Sequence, residues 1–232
     1  MTIVVSVACL LLAALCAVLW RRQLSLRREA YIRGFVLPKG LFERLRHHHP
    51  HLTTKECQLV SHGLRQFFLA HLKSGRKYVS MPSQVADDLW HELILYTKNY
   101  QSFCQQAFGR FLHHTPAVVL SKSQRGNEGI RRCWRYVCLE ENINPRAPTR
   151  LPLLFALDSK LNIPNGFRYV ANCEGVQKVG KDGEGAGAPY CGAELASSSA
   201  DGGTDSLDSG NGGGGDAGGD GCGGGGCGGG GD

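Results

Sequence analysis

The stretch that decides the fold spans residues 87–114 and reads DDLWHELILYTKNYQSFCQQAFGRFLHH. Taken as one continuous helix from Ser83 to about Leu112, it places its apolar side chains on a single stripe at helical spacing. His91 projects to the opposite side of that helix. The spacing therefore predicts an amphipathic helix whose buried face consists of Val85, Leu89, Leu93, Tyr96, Tyr100, Phe103 and Ala107.

The same stretch holds the candidate metal ligands, Asp87, His91, His113 and His114. In a straight helix His91 and His113 are over ~30 Å apart, whereas ligand atoms lie within about 2.3 Å of a zinc ion. A shared site requires a helix break near residues 97–99, where helix propensity is low, so that two antiparallel pieces bring the histidines together. We favour the alternative, in which Asp87 or Asp88 orients the His91 ring and the two later histidines end the helix.

The cysteines give two further predictions. Cys104 is interpreted as a small buried apolar residue and not as a nucleophile, because no neighbouring base is fixed by the sequence. Cys222 and Cys227 are candidates for a disulfide or for thiol ligands of a metal, since the glycines between them impose no geometry, and in the cytoplasm we expect them as a free dithiol. We assign no catalytic or cofactor-binding residue and expect no cofactor, although a divalent metal stays open.

The rest of the middle region also reads as helical, so the predicted fold class is all-α. One helix is expected to begin at Thr53 or Thr54, with Glu56 in its first turn, and to end at Gly75. The other predicted elements are a short helix between Pro38 and Pro50, a helix over residues 127–141, a short helix over residues 152–161 and a small strand within residues 166–175.

The N-terminal segment predicts a membrane anchor. Residues 2–20 contain no charged side chain, and 19 helical residues cover close to ~30 Å of hydrocarbon. The basic residues Arg21, Arg22, Arg27 and Arg28 follow the apolar run, whereas a cleaved signal peptide has its basic region before it. The positive-inside rule then predicts a single-pass protein of the inner membrane with its C-terminal domain in the cytoplasm.

The formal charge and the glycine content differ sharply between the two parts of the chain that meet at residue 181. Residues 1–181 carry a formal charge of +15, whereas residues 182–232 carry −9 and contain 22 glycines. That composition predicts a disordered tail, and the basic segment behind the anchor could contact an anionic lipid surface. Nucleic acid is not expected, because no nucleic-acid-binding signature is present. The predicted organisation is a transmembrane anchor (1–21), a basic juxtamembrane segment (22–38), a helical domain (39–180) and a Gly/Asp/Cys tail (181–232).

Residues 81–116 resemble the glycine-rich domain-containing protein-like family, in particular its bacterial, membrane-anchored members. The resemblance rests on a W-H-x-x-I/L, Y-x-x-F-C, F-G and H-H-x-P pattern and on the glycine-rich tail with spaced cysteines. It implies a helical domain and supplies no reaction. The matching residues are Trp90, His91, Tyr100, Phe103, Cys104, Phe108, Gly109, His113, His114 and Pro116.

Three functions of different classes fit these patterns. The sequence favours a membrane-anchored cytoplasmic helical module that docks an unidentified protein partner, and therefore a non-enzymatic role. The first alternative is a metal-dependent enzyme with a site near His91 and the pair His113 and His114. The second is thiol or metal handling through the cysteine-bearing tail. An enzyme requires the histidines to converge, whereas an interaction module leaves them dispersed.

Overall fold

The structure is a computed structural model that describes residues 2–114, 124–172 and 190–197. Within these ranges the chain is mostly helical, as the sequence predicts. The elements in chain order are α1 (Thr2–Gly34), α2 (Leu41–His48), α3 (Thr54–Lys73), α4 (Gln84–Leu95), α5 (Thr97–Phe108), α6 (Gln124–Glu140), α7 (Leu153–Lys160), β1 (Tyr169–Val170), β2 (Tyr190–Cys191) and α8 (Gly192–Ser197).

Helix α1 joins the apolar N-terminal segment directly to the helical domain. It is unbroken over 33 residues, which corresponds to about 50 Å. Its apolar part is exposed throughout, and the helix is long and apolar enough to cross a membrane. At its other end Ile32 is fully buried, and the ring of Phe35 lies 4.4 Å from that of Phe103. The core therefore includes residues upstream of position 39.

Helix α3 lies at the centre of the domain and packs against α1, α4, α6 and α7. Its cap is Thr53, one of the two predicted residues, and it forms a capping box: the Thr53 side chain accepts the Glu56 backbone N–H, and the Glu56 carboxylate accepts the Thr53 N–H. Its buried rings Phe67 and Phe68 contact Trp90 of α4, with ring centroids 4.9 and 6.0 Å apart. These aromatic contacts fix α4 against the domain centre.

The predicted continuous helix over residues 83–112 is wrong, because it is two helices. The backbone leaves the helical region at Tyr96 (φ −81°, ψ 62°), and α5 starts at the next residue. The Tyr96 hydroxyl donates to the Lys39 carbonyl at 3.2 Å, which holds the corner against the segment before α2. The predicted buried face is nonetheless confirmed, since six of its seven residues are buried and Tyr96 is half-buried. Both helices therefore turn that face toward one core.

Helix α5 ends earlier than the sequence suggested. Gly109 has φ +73°, a left-handed conformation that glycine adopts without steric cost, and its N–H donates to the carbonyls of Cys104 and Gln105. The prediction that His113 and His114 end the helix is therefore wrong. Both lie in irregular chain beyond the turn.

A buried carboxylate connects α7 to the start of α4. Asp158 is 3% exposed and accepts the Ser83 hydroxyl at 2.7 Å, the Gln84 N–H at 2.7 Å and the Val85 N–H at 3.2 Å. It also accepts the Phe167 N–H at 2.9 Å. Two of these four donors are first-turn N–H groups of α4 and a third is the hydroxyl of its N-cap residue, so the carboxylate fixes where this helix begins.

The strand predicted after Pro164 is present as β1. It pairs in parallel with β2, with Tyr169 opposite Tyr190. Each strand has two residues, so the described fold remains essentially helical.

Candidate metal centre

Helix α4 presents carboxylates on two adjacent faces, and one of these faces is occupied by α2. Asp88 lies 2.8 Å from His49 Nε2. Glu92 lies 3.0 Å from His48 Nε2 and pairs with Arg44, whose hydrogen bond is the main cause that lowers the pKa of Glu92. These contacts join α2 to α4, and they give the carboxylates of Asp88 and Glu92 partners on α2 and its C-cap. The histidine run at positions 47–51 did not predict from sequence that His48 and His49 pair with carboxylates of α4.

The other face of α4 carries the only group of three possible metal ligands found among the described residues. One donor atom each from Asp87, His91 and His114 lies within 4.8 Å of the others. His114 Nε2 is 2.9 Å from one Asp87 oxygen, and His91 Nε2 is 3.9 Å from the other. The two imidazole centroids are 4.2 Å apart. Asp87 and His91 share this face because they are four residues apart on one helix.

His114 reaches α4 because the chain after α5 turns back and is held there. The Tyr100 hydroxyl accepts the Trp90 indole N–H at 3.1 Å and donates to the Leu112 carbonyl at 2.6 Å. Burial raises the pKa of Tyr100, so the hydroxyl keeps the proton that it donates. The Trp90 ring also meets the His114 ring edge-on, with centroids 4.6 Å apart. Trp90 and Tyr100, which belong to the sequence motif described above, therefore hold His114 in place beside α4.

The structure separates the two adjacent histidines. His113 is exposed and its ring lies 4.8 Å from that of Phe111, whereas His114 joins the cluster. Of the four candidate ligands predicted within residues 87–114, the structure brings together Asp87, His91 and His114. The helix break that the sequence named as the condition for such a site is present, one residue before residues 97–99.

The cluster is open to solvent on one side. The side chains of Asp87 and His114 are 19% and 12% exposed, whereas that of His91 is 48% exposed. Two partly buried donors and one exposed donor suit an ion that approaches from water and keeps some water ligands. A cavity of about 330 Å³ elsewhere in the described domain is lined by none of the three residues. The arrangement of the three donors can bind a metal ion at the surface of the domain, apart from that cavity.

No cysteine among the described residues takes part in the cluster. Cys104 is fully buried and burial raises the pKa of its thiol, which agrees with its prediction as a packing residue. Cys133 and Cys138 are buried in the core. Cys191 is disulfide-bonded. The candidate ligands Cys222 and Cys227 lie outside the described residues.

The fold and cluster together define a mostly helical protein with an N-terminal apolar helix and a surface group of two histidines and one carboxylate. The chain belongs to the UCP032817-like family, whose model matches residues 27–195. The match begins within α1 and includes all three residues of the cluster. No curated protein and no solved structure matched the chain. The family description names no activity, so the functional argument rests on the geometry.

Proposed function

We propose that this protein is a membrane-anchored helical domain that binds one divalent transition-metal ion through Asp87, His91 and His114. The observation that carries the proposal is the convergence of these three donors from two separate parts of the chain within 4.8 Å. His114 is 23 residues beyond His91, and the break at Tyr96 together with the turn at Gly109 is needed to bring it back.

The donor set fits the chemistry of such an ion. Imidazole and carboxylate ligands suit Zn²⁺ and Fe²⁺, and two histidines with one carboxylate occur in open sites of both metals. In a tetrahedral zinc site with bonds of about 2.0–2.1 Å, ligand atoms lie about 3.3 Å apart. The separation of up to 4.8 Å requires only a small contraction, which rotation of the exposed His91 side chain can supply.

The contacts around the three ligands support the same interpretation. Ligand histidines are usually oriented by neighbouring groups, and such groups influence metal affinity by about 10–100-fold. Here the Trp90 ring packs against His114, and Tyr100 holds the segment that carries it. We propose metal binding and assign no reaction.

Metal content of the full-length protein tests this proposal. The chain is purified in nonionic detergent without a histidine tag, dialysed against Zn²⁺ or, without oxygen, Fe²⁺, and analysed by mass spectrometry. We expect one ion per chain in the wild type, with the metal identified by the two arms. Asp87→Asn and His91→Ala should each lose that ion. Wild type without bound metal, or an ion that persists in both variants, contradicts the proposal.

The histidines at positions 47–49 and 51 provide a built-in check on specificity. An exposed histidine run binds Ni²⁺ or Zn²⁺ in vitro, and His47 and His48 are exposed. Metal held there remains after His91→Ala and disappears after His47→Ala. Loss that follows His47 and not His91 therefore assigns the ion to the histidine run and overturns the proposed centre.

We further propose that residues 2–20 are retained in the bilayer and that the domain faces the cytoplasm of a single-pass inner-membrane protein. The exposed apolar surface of α1 and the arginines behind Trp20 support this placement. The disulfide at Cys191 points the other way, because disulfides are typical of oxidising compartments. A C-terminal alkaline phosphatase fusion decides between them: it is inactive for a cytoplasmic domain and active for a periplasmic one.

The other functions predicted from the sequence remain predictions. Docking of a protein partner is compatible with the metal centre, since a surface cluster can organise an interface. Thiol or metal handling by Cys222 and Cys227, the disordered tail, the anionic lipid contact and the resemblance to the glycine-rich family also stay predictions. Metal content of the full-length chain and of a chain shortened to residues 1–197, which keeps β2 and α8, measures the role of the cysteine-bearing tail. Metal bound only when residues 198–232 are present favours the tail, and metal lost with His91→Ala favours the centre.

A further inference from the structure

A second feature, separate from the metal centre, is a cavity of about 330 Å³ where four helices meet. The end of α1, one side of α3, the end of α6 and the start of α7 form its walls. Its volume lies within the range of small-molecule sites. The lining residues are Arg33, His62, Arg65, Gln66, Leu69, Glu140, Glu141 and Leu153.

Both carboxylates in the wall already have cationic partners. Glu140 pairs with Arg33 and, at 2.7 Å, with Lys73. Glu141 pairs with Arg150 and also accepts the Leu153 backbone N–H at 2.6 Å. The negative charge of the wall is thus compensated by these ion pairs.

Arg65 is the wall residue whose charge has no such compensation. Its Nη2 donates to the Phe35 carbonyl at 2.9 Å, and its Nη1 donates to the Ser61 hydroxyl at 3.2 Å. No carboxylate of the described residues forms an ion pair with it, and its buried Nε makes no hydrogen bond. Burial lowers the pKa of Arg65 with no acidic neighbour to offset the effect. A partly buried guanidinium without an anion is costly, and bound anions commonly remove that cost.

We propose that this cavity binds a small organic anion whose carboxylate or phosphate group is held by Arg65. Nη1 and Nη2 of Arg65 each carry two hydrogens and each donate one of them to a described acceptor, so each keeps one hydrogen for an oxygen of such a group. Leu69 and Leu153 give the cavity apolar walls, so the fitting ligand has a short apolar part beside its anionic group. The site takes a ligand between α1 and the rest of the domain.

Calorimetric titration of the full-length protein in nonionic detergent tests this site, with inorganic phosphate and butyrate as separate probes. EDTA is present throughout, so that neither anion is held by a metal ion. We expect saturable binding of at least one probe and a loss of at least about tenfold in affinity for Arg65→Gln, the size typical of charged hydrogen bonds. Arg46→Gln, at an exposed position on α2, is the matched control and should bind as the wild type does.

Two outcomes overturn the inference. One is that neither probe binds to the wild type, and the other is that Arg65→Gln and Arg46→Gln bind equally well. Circular dichroism establishes that the variants fold. If Arg65→Gln does not fold, Arg65→Lys decides, because lysine keeps the charge without the paired donors. Weakened binding then supports the guanidinium site, and unchanged binding contradicts it.

Discussion

His71 predicts how the stability of the domain depends on pH. This α3 residue is 4% exposed, its Nδ1–H donates to the Lys77 carbonyl at 3.0 Å, and its Nε2 has no hydrogen-bond partner within the described part of the chain. Burial is the main cause that lowers the pKa of His71 from its ordinary value of 6.5 to about 4, and the charges of Arg110 and Arg76 lower it further, whereas the Lys77 carbonyl raises it. The folded protein therefore holds this ring neutral at pH 5, where the unfolded chain binds a proton.

The sign and size of the effect follow from this difference. Because the folded pKa is below the unfolded one, the contribution of His71 to stability is complete above pH 6.5 and is lost as the pH falls toward 4. A shift of this size removes roughly 2 kcal/mol of unfolding free energy between pH 7.5 and pH 5. His71→Asn keeps a donor near the Lys77 carbonyl but cannot titrate, so it should lack this part of the pH dependence.

Urea unfolding of the full-length protein in detergent, followed by tryptophan fluorescence, measures the effect at both pH values. The wild type should lose roughly 2 kcal/mol more than His71→Asn on going from pH 7.5 to pH 5. The other titrating groups are common to both proteins and cancel in the comparison. Equal losses in the two proteins, or an NMR titration of His71 with a midpoint near 6.5 in the folded wild type, would refute the reasoning.

Three further predictions concern the contacts that build the fold and the centre. Asp158→Asn removes the charge and one acceptor oxygen from a site with four donors, and should lower the unfolding free energy by roughly 3–5 kcal/mol in urea unfolding. Thr53→Ala removes the α3 cap and should cost about 1 kcal/mol in the same assay, with Thr53→Ser close to wild type. Tyr100→Phe leaves the Trp90 N–H and the Leu112 carbonyl without their partner, so both stability and metal affinity should fall, by about 2 kcal/mol and about tenfold. Unchanged metal affinity in Tyr100→Phe would show that this hydroxyl does not position His114.

Local pattern was sufficient to predict the helices and the buried face. The apolar spacing from Val85 to Ala107 identified the core side of α4 and α5, although the two helices were expected as one. Thr53 and Glu56 marked the start of α3, because the capping signal depends only on neighbouring residues. These features are local, so the sequence carries them directly.

The position of the centre depends on contacts that no local pattern contains. The break falls at Tyr96, whose hydroxyl bonds to Lys39, a residue far away in sequence. The choice of His114 over the adjacent His113 depends on how Tyr100 holds the Leu112 carbonyl. Low helix propensity at residues 97–99 suggested where the chain could turn, and tertiary contacts decided that it does.

The adjacent histidines also allow the most direct test of the metal centre. Zn²⁺ and Fe²⁺ are titrated calorimetrically into the full-length wild type, His114→Ala and His113→Ala, in nonionic detergent. The two variants remove the same side chain one residue apart, but only His114 belongs to the cluster. We predict one site per chain, an affinity reduced by at least about 100-fold in His114→Ala and an unchanged affinity in His113→Ala. Equal affinity in all three proteins, or a larger loss in His113→Ala, would contradict the proposed centre.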